Sequence, residues 1–253
     1  MAELDSRRPE ATAGAPRPAR RVVSLVPSVT ETLLSWGIVP VAVTRFCEQP
    51  HLRPVGGTKD PDVAAIVELA PDVVVMNDEE NRRQDADVLR DAGLAVHVTT
   101  IYGLEDVDPC LDALAAAVDA DRTPAERAAF EGIDGSTARP AGRRRQAFVP
   151  IWRRPWMTMN ASTYGSSVLA HLDVDNVFAD ARDRYPTVDL DDVASRAPDL
   201  VLLPSEPYPF GSRHVAELLP IAANVRLVDG QDLFWWGSRT PAALIRLGQS
   251  IGP

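Results

Sequence analysis

Residues 62–76 read DVAAIVELAPDVVVM, and residues 189–203 read DLDDVASRAPDLVLL. The two align without a gap. Each gives a short helical pattern, an Ala-Pro-Asp break and a run of four apolar residues that suits a buried strand. The acid after the run also recurs, as Glu79 and Glu206. An ungapped match of this length implies two related halves, each built on the same unit.

Working outward, each half alternates short apolar strands with helices. In the first, strands are expected over residues 22–28, 40–44, 73–76 and 95–100. Ser28 or Thr30 can cap the first helix, which runs through Leu33, Leu34 and Trp36 to a stop at Gly37. The pattern predicts an α/β fold of two Rossmann-like lobes with parallel, helix-covered sheets. The expected divisions are a disordered tail over 1–20, an N-terminal lobe over 21–102, connecting helices and a loop over 103–145, and a C-terminal lobe over 146–253. Facing lobes of this kind leave a cleft lined by the loops that follow their strands.

Composition narrows the partners. The chain of 253 residues has a net charge of −10, and Lys59 is its only lysine among 26 basic residues. An acidic, lysine-poor surface argues against nucleic acid and anionic membranes, leaving a small-molecule ligand and a monomeric chain as the expectation. Cys47 and Cys110 have no metal-site spacing and are expected as separate thiols. No apolar run approaches the ~20 residues of a spanning helix. Residues 1–20 hold neither the apolar segment of a secretory signal nor a lipoprotein cysteine, so the expected location is cytoplasmic, or extracytoplasmic if the true start lies upstream. The Gly-Gly pair at 56–57 lacks the spacing of a phosphate loop.

Residues 149–164, VPIWRRPWMTMNASTY, hold the first group of candidate ligand residues: Trp152, Arg153, Trp156, Asn160 and Tyr164. Pro155 separates the tryptophans, so they belong to a loop leaving a strand over 146–151 rather than to a helical stripe. Flat faces with polar donors between them suit a large, partly planar ligand. The competing reading is a Trp-rich core plug. Glu79, Glu80, Asn81 and Glu206 sit at strand exits, where a charged run is either ligand-facing or simply solvated. His51, beside Glu48 and Cys47, is a weak candidate metal ligand without a second histidine at ligand spacing. His97 reads as a satisfied core histidine, and His171 and His214 as helical. No nucleophile elbow or paired-carboxylate pattern stands out, so no catalytic residue is expected.

LVPSVTETL at 25–33, VGGTKDPD at 55–62, the two repeat units, NVFAD at 176–180 and the stretch 185–210 together resemble the helical-backbone substrate-binding proteins of ABC importers. That family delivers vitamin B12, haem or ferric siderophores, and the likeness runs from about Arg21 to the C-terminus. The resemblance implies a class III periplasmic-binding-protein-like fold, two lobes on one rigid helix with a largely pre-formed cleft. It implies non-catalytic binding of a cobalamin-like corrinoid or other metal chelate, with cobalamin, haem or a ferric siderophore as cargo and no required cofactor.

Carried over residue by residue, Tyr185 falls where the B12-binding type places a tryptophan over the corrin, its alternative being a turn tyrosine packed on Pro186. Trp235 and Trp236 match an aromatic cluster lining the cleft, one of the pair being core. Tyr208 and Phe210 are cleft candidates, and Arg239 follows the same aromatic cluster. Asp191 (or Asp192) matches the acid that pairs with a permease arginine. At the equivalent first-lobe positions stand Ala64 and Ala65, with Asp62 the nearest acid. Two rival readings stay open: an intracellular cofactor carrier or sensor, and an enzyme that modifies a tetrapyrrole-like cofactor.

Overall fold

A computed structural model of the protein describes residues 20–133 and 143–252. The expected tail, apart from Arg20, and the loop expected at 134–145, apart from its last three residues, lie outside the described residues. So does Gly135, one of two glycines expected to end the second connecting helix.

Two four-stranded parallel sheets form the frame. The first holds β1 (Val22–Ser24), β2 (Ala42–Val43), β3 (Val73–Asn77) and β4 (Val96–Thr99) in the order β2-β1-β3-β4. The second holds β5 (Arg145–Phe148), β6 (Val174–Asn176), β7 (Leu200–Pro204) and β8 (Val225–Val228) in the order β6-β5-β7-β8. The order is the same in each, and the sequence repeat falls on β3 and β7 with the helices before them, α2 (Val63–Glu68) and α7 (Leu190–Ser195).

The shared Ala-Pro-Asp break has a definite job. Ala70 and Ala197 both take positive φ, 43° and 46°, turning the chain out of the helix. The aspartate two residues on then reaches the neighbouring strand. Asp72 accepts from the Arg21 N–H at 2.7 Å, and Asp199 from the Gln146 N–H at 2.9 Å. Each bond ties the repeat's strand to the start of the strand beside it, which sets the same register in both sheets.

Strand side chains alternate between two cores, as the pleat requires. Val74 and Met76 of β3 pack outward with Ile66 and Leu89, while Val73 and Val75 point inward. Val201 and Leu203 of β7 pack outward with Phe148 and Phe178, while Leu200 and Leu202 point inward. The inward residues of both sheets belong to one continuous apolar cluster. Helix α4 (Val107–Val118) lies in that cluster, contributing Val107, Leu111, Leu114 and Val118 at helical spacing. A buried arginine braces its first two turns: Arg122 binds Asp108 at 2.7 Å and Asp112 at 2.8 Å, both on α4. Glu126 of α5 (Pro124–Ala129) accepts from the Trp36 indole at 2.9 Å, fastening the same corner to α1 (Pro27–Ser35).

Local expectations needed correction in four places. Neither Ser28 nor Thr30 caps α1, because the helix starts at Pro27, whose fixed φ suits the first turn; Thr30 instead bonds back to the Val26 carbonyl. β2 is only two residues long, and β5 ends at Phe148 rather than at Ile151. His97 is not a satisfied core histidine: its Nε2 is buried without a partner, and burial lowers its pKa.

Leu111→Ala should therefore destabilise the whole chain by roughly 2–5 kcal/mol. Urea unfolding followed by tryptophan fluorescence and by far-UV circular dichroism should give one coincident transition. Two separated transitions would show that the inner cluster does not join the halves.

Candidate functional site

The exits of the two sheets face a common cavity of about 550 Å³, within the usual size range for small-molecule sites. One wall comes from the first half, through Thr58, Lys59, Asn77, Glu79, Glu80 and Ile101. The opposite wall and floor come from the second, chiefly Trp152, Tyr164, Tyr185, Glu206, Trp235 and Trp236.

The acidic wall is built by two asparagines. The Asn77 side chain accepts from the Glu79 and Glu80 N–H groups at 2.9 and 3.1 Å, winding the β3 exit into a turn. Asn81 closes that turn, accepting from the Asn77 N–H and donating to the Leu25 and Thr58 carbonyls. Asn81, expected as a ligand residue, is thus a buried brace, and Asn77, which the sequence reading missed, lines the cavity. Lys59 donates to the Glu79 carbonyl at 2.6 Å.

Glu79 spans the mouth. Its carboxylate accepts from the Tyr185 hydroxyl at 2.6 Å and lies 3.5 Å from the Arg184 guanidinium, so residues of the two halves meet there. Burial and the Glu79 charge push the Tyr185 phenol well above its ordinary range. Half-buried Glu80 has its pKa pushed up to about 7, mainly by desolvation, then by repulsion from Glu79 and Glu206 against the pull of Lys59. Glu206 is also raised, first by burial, with a hydrogen bond from Trp235 working the other way. Gly230 lets the start of α9 (Gly230–Phe234) press on the Glu206 backbone: a Cβ there would lie 2.5 Å from the Glu206 nitrogen.

The aromatic candidates divide. Trp152 is 44% exposed at the rim, edge-on to Tyr208 with ring centres 5.5 Å apart. Trp235 lines the cavity, and Trp236, only 4% exposed, belongs to the inner core while still forming part of the floor. Tyr164 is buried on α6 (Tyr164–His171), its hydroxyl 3.1 Å from the Thr240 hydroxyl. Trp156 and Phe210 do not reach the cavity: they stack at 6.0 Å and 5° within the outer core of the second half, the core plug that was the competing reading.

Several polar candidates are also engaged elsewhere. Arg153 grips Glu217 through two bonds of 3.0 and 2.9 Å, because the turn after Trp152 aims it at α8 (Ser212–Leu218). Asn160 donates to the Ala181 carbonyl and accepts from Ser162, holding a loop. Arg239 pairs with Glu31 at 3.3 Å and Asp232 at 3.2 Å. Tyr208 packs beside the outer core of the second half and is not a lining residue. His51 is exposed, and no group of three or more His, Cys, Asp or Glu suited to a metal occurs among the described residues. Besides Asn77, the lining residues that the sequence reading missed include Lys59, Met157, Met159, Thr163 and Phe234; of these Lys59, as the sole lysine, left a signal.

Two parallel-sheet halves that share one apolar layer, which includes the buried face of α4, with a cavity at their strand ends, define a two-lobed binding protein. The chain belongs to the periplasmic binding protein family, which matches residues 22–218. It is 26% identical over 207 residues to the vitamin B12-binding protein of Vibrio parahaemolyticus, covering 78% of this chain and 72% of that one. It is 27% identical to the vitamin B12-binding protein of Salmonella typhimurium, over 73% of this chain and 72% of the relative. Among solved structures, the periplasmic vitamin B12 binding protein of Vibrio cholerae superposes with a TM-score of 0.74 at 19% identity, over 93% of this chain and 98% of its own. The apo periplasmic haem-binding protein of Roseiflexus sp. RS-1 gives 0.77 at 20%, over 92% and 98%. The family consists of substrate-binding proteins that bind small molecules for ABC permeases and are not enzymes. Among the described residues, no helix is long and apolar enough to cross a membrane.

The raised Glu80 pKa has a stability consequence. A carboxyl that holds its proton to about pH 7 when folded, but only to its ordinary range when unfolded, loses stability as pH rises through that window. Glu80→Gln should therefore be more stable than wild type by about 1 kcal/mol at about pH 8, a figure reduced because water reaches part of the group. The advantage should vanish near pH ~4, where both side chains are neutral. Thermal melts across this range check it.

Proposed function

We propose that the protein binds a flat metal chelate, a cobalamin-like corrinoid foremost, in the cavity between its halves and hands it unchanged to an ABC permease. The observation that carries this reading is the pairing of flat aromatic faces, Trp152 and Tyr185 at the rim and Trp235 and Trp236 beneath, on strand exits held by a buried core. The vitamin B12-binding relatives support the corrinoid over other chelates. Exposed Asp191, on the first turn of α7, is the acid we assign to permease contact. In the first half the equivalent position is Ala64, and Asp62 is engaged in capping α2 through the Ala65 N–H. The periplasmic relatives support the extracytoplasmic alternative over the cytoplasmic expectation.

Calorimetric and visible-absorbance titrations with cobalamin, haem and a ferric siderophore test the reading. Cobalamin should bind in the micromolar range or tighter, about −8 kcal/mol or better. Trp152→Ala should weaken it by about tenfold, the worth of one lost aromatic face. Trp156→Ala should lower stability and leave the affinity within about twofold, since its ring packs in the outer core. Failure of all three ligands to bind would overturn the proposal.

A further inference from the structure

The cavity is acidic. Its lining holds three carboxylates, Glu79, Glu80 and Glu206, against one cation, Lys59. Glu79 is already answered across the mouth by Tyr185 and Arg184. Glu80 and Glu206 are not answered in this way. Among the described residues the Glu80 carboxylate has no hydrogen bond and only Lys59 to attract it, and Glu206 has one bond from Trp235 and the more distant attraction of Arg239. The nearby arginines are engaged elsewhere: Arg45 with Asp60, Arg153 with Glu217, and Arg239 with Glu31 and Asp232.

Two acceptors left open in a desolvated wall discriminate between ligand edges. A chelate edged with carboxylates would bring like charge against them, and Arg184 and Arg239, the guanidiniums near these acids, are already paired with Glu79, Glu31 and Asp232. A chelate edged with amide N–H groups, or carrying net positive charge, would supply the missing donors, and hydrogen bonds to an ionised acceptor are the stronger kind. We infer that Glu80 and Glu206 are the specificity-determining residues of the cavity, admitting a chelate whose edge donates N–H bonds or is cationic and rejecting one edged with carboxylates. This rests on the proposed function for the place of binding and adds the chemistry of the edge.

The selection is linked to protons. Glu80 faces Glu79, Lys59, Glu206, the Tyr185 hydroxyl and the Cys47 thiol, and burial pushes its pKa up to about 7. Ionised, it accepts from a donor edge; protonated, it tolerates a carboxylate edge. Affinity for the donor-edged chelate therefore rises with pH through about 7, while affinity for the carboxylate-edged one falls.

The test uses the full chain and two matched ligand pairs: cobalamin against a corrinoid whose edge amides have been hydrolysed to carboxylates, and a cationic against an anionic water-soluble porphyrin. Wild type should prefer cobalamin to its acid analogue by at least about tenfold, and the preference should grow between about pH 6 and about pH 8. Glu80→Gln should abolish that growth, and Glu80→Gln with Glu206→Gln should reduce the preference to within about twofold. Unaltered far-UV circular dichroism shows that the variants fold. Equal binding of the two corrinoids by wild type, or an undiminished preference in the double variant, would overturn the inference while leaving corrinoid binding intact. If corrinoids fail to bind but the cationic porphyrin is preferred, the corrinoid reading falls and the charge selection stands. Binding of neither pair sinks both.

Discussion

A parallel sheet with apolar residues on both faces needs cover on both sides, and four strands cannot supply it alone. Each sheet here covers its outer face with its own helices. The inner faces are left to a common layer, in which Val73 and Val75 on one side and Leu200 and Leu202 on the other share partners with Leu111 and Leu114 of α4. Covering the inner faces together sets the two halves side by side with their strand exits toward one opening. The cavity follows from this arrangement of cores, and its walls inherit their positions from buried strands rather than from free loops.

The two halves also meet away from that layer. At the base, the Thr32 hydroxyl accepts from the Ser238 N–H, and Glu31 pairs with Arg239. At the mouth, Glu79 meets Tyr185 and Arg184, and Gln231 reaches Glu48 at 3.3 Å. The base contacts adjoin the buried layer; the mouth contacts are single polar bonds among partly exposed groups. Widening the cavity would break the mouth bonds first and leave the layer intact.

The sequence made the frame legible because the frame is periodic. The repeat at 62–76 and 189–203, the Ala-Pro-Asp breaks and the alternating runs each have a local cause that recurs twice. Side-chain direction at the rim was not legible. Trp152 and Trp156 are alike in type and neighbourhood, yet the chain reverses between them: Arg154 takes a φ of 71°, and residues 152 and 157 pair across the turn. One tryptophan faces the opening and the other stacks inward on Phe210, 54 residues further along the chain (210 less 156). Asn81 and Asn160 misled for another reason. Short amides suit ligand contacts and loop bracing equally, and which role wins depends on distant carbonyls such as those of Leu25 and Ala181.

At Glu80 stability and the proposed function pull apart. A half-buried carboxyl with no hydrogen-bonding partner among the described residues, close to two others, costs the folded chain at neutral pH, and a glutamine would fill the same space without the charge. The turn that holds it is tightly specified by Asn77 and Asn81, so the group is held in place rather than straying there by loose packing. Glu206 stands at the matching exit of the other sheet, pressed by the close approach of Gly230. Two related strand exits thus present destabilised carboxylates to one space from opposite sides. Glu79, not Glu80, is the repeat partner of Glu206, so the cost at each exit arises separately from burial, and an occupant that brought hydrogen-bond donors would offset both.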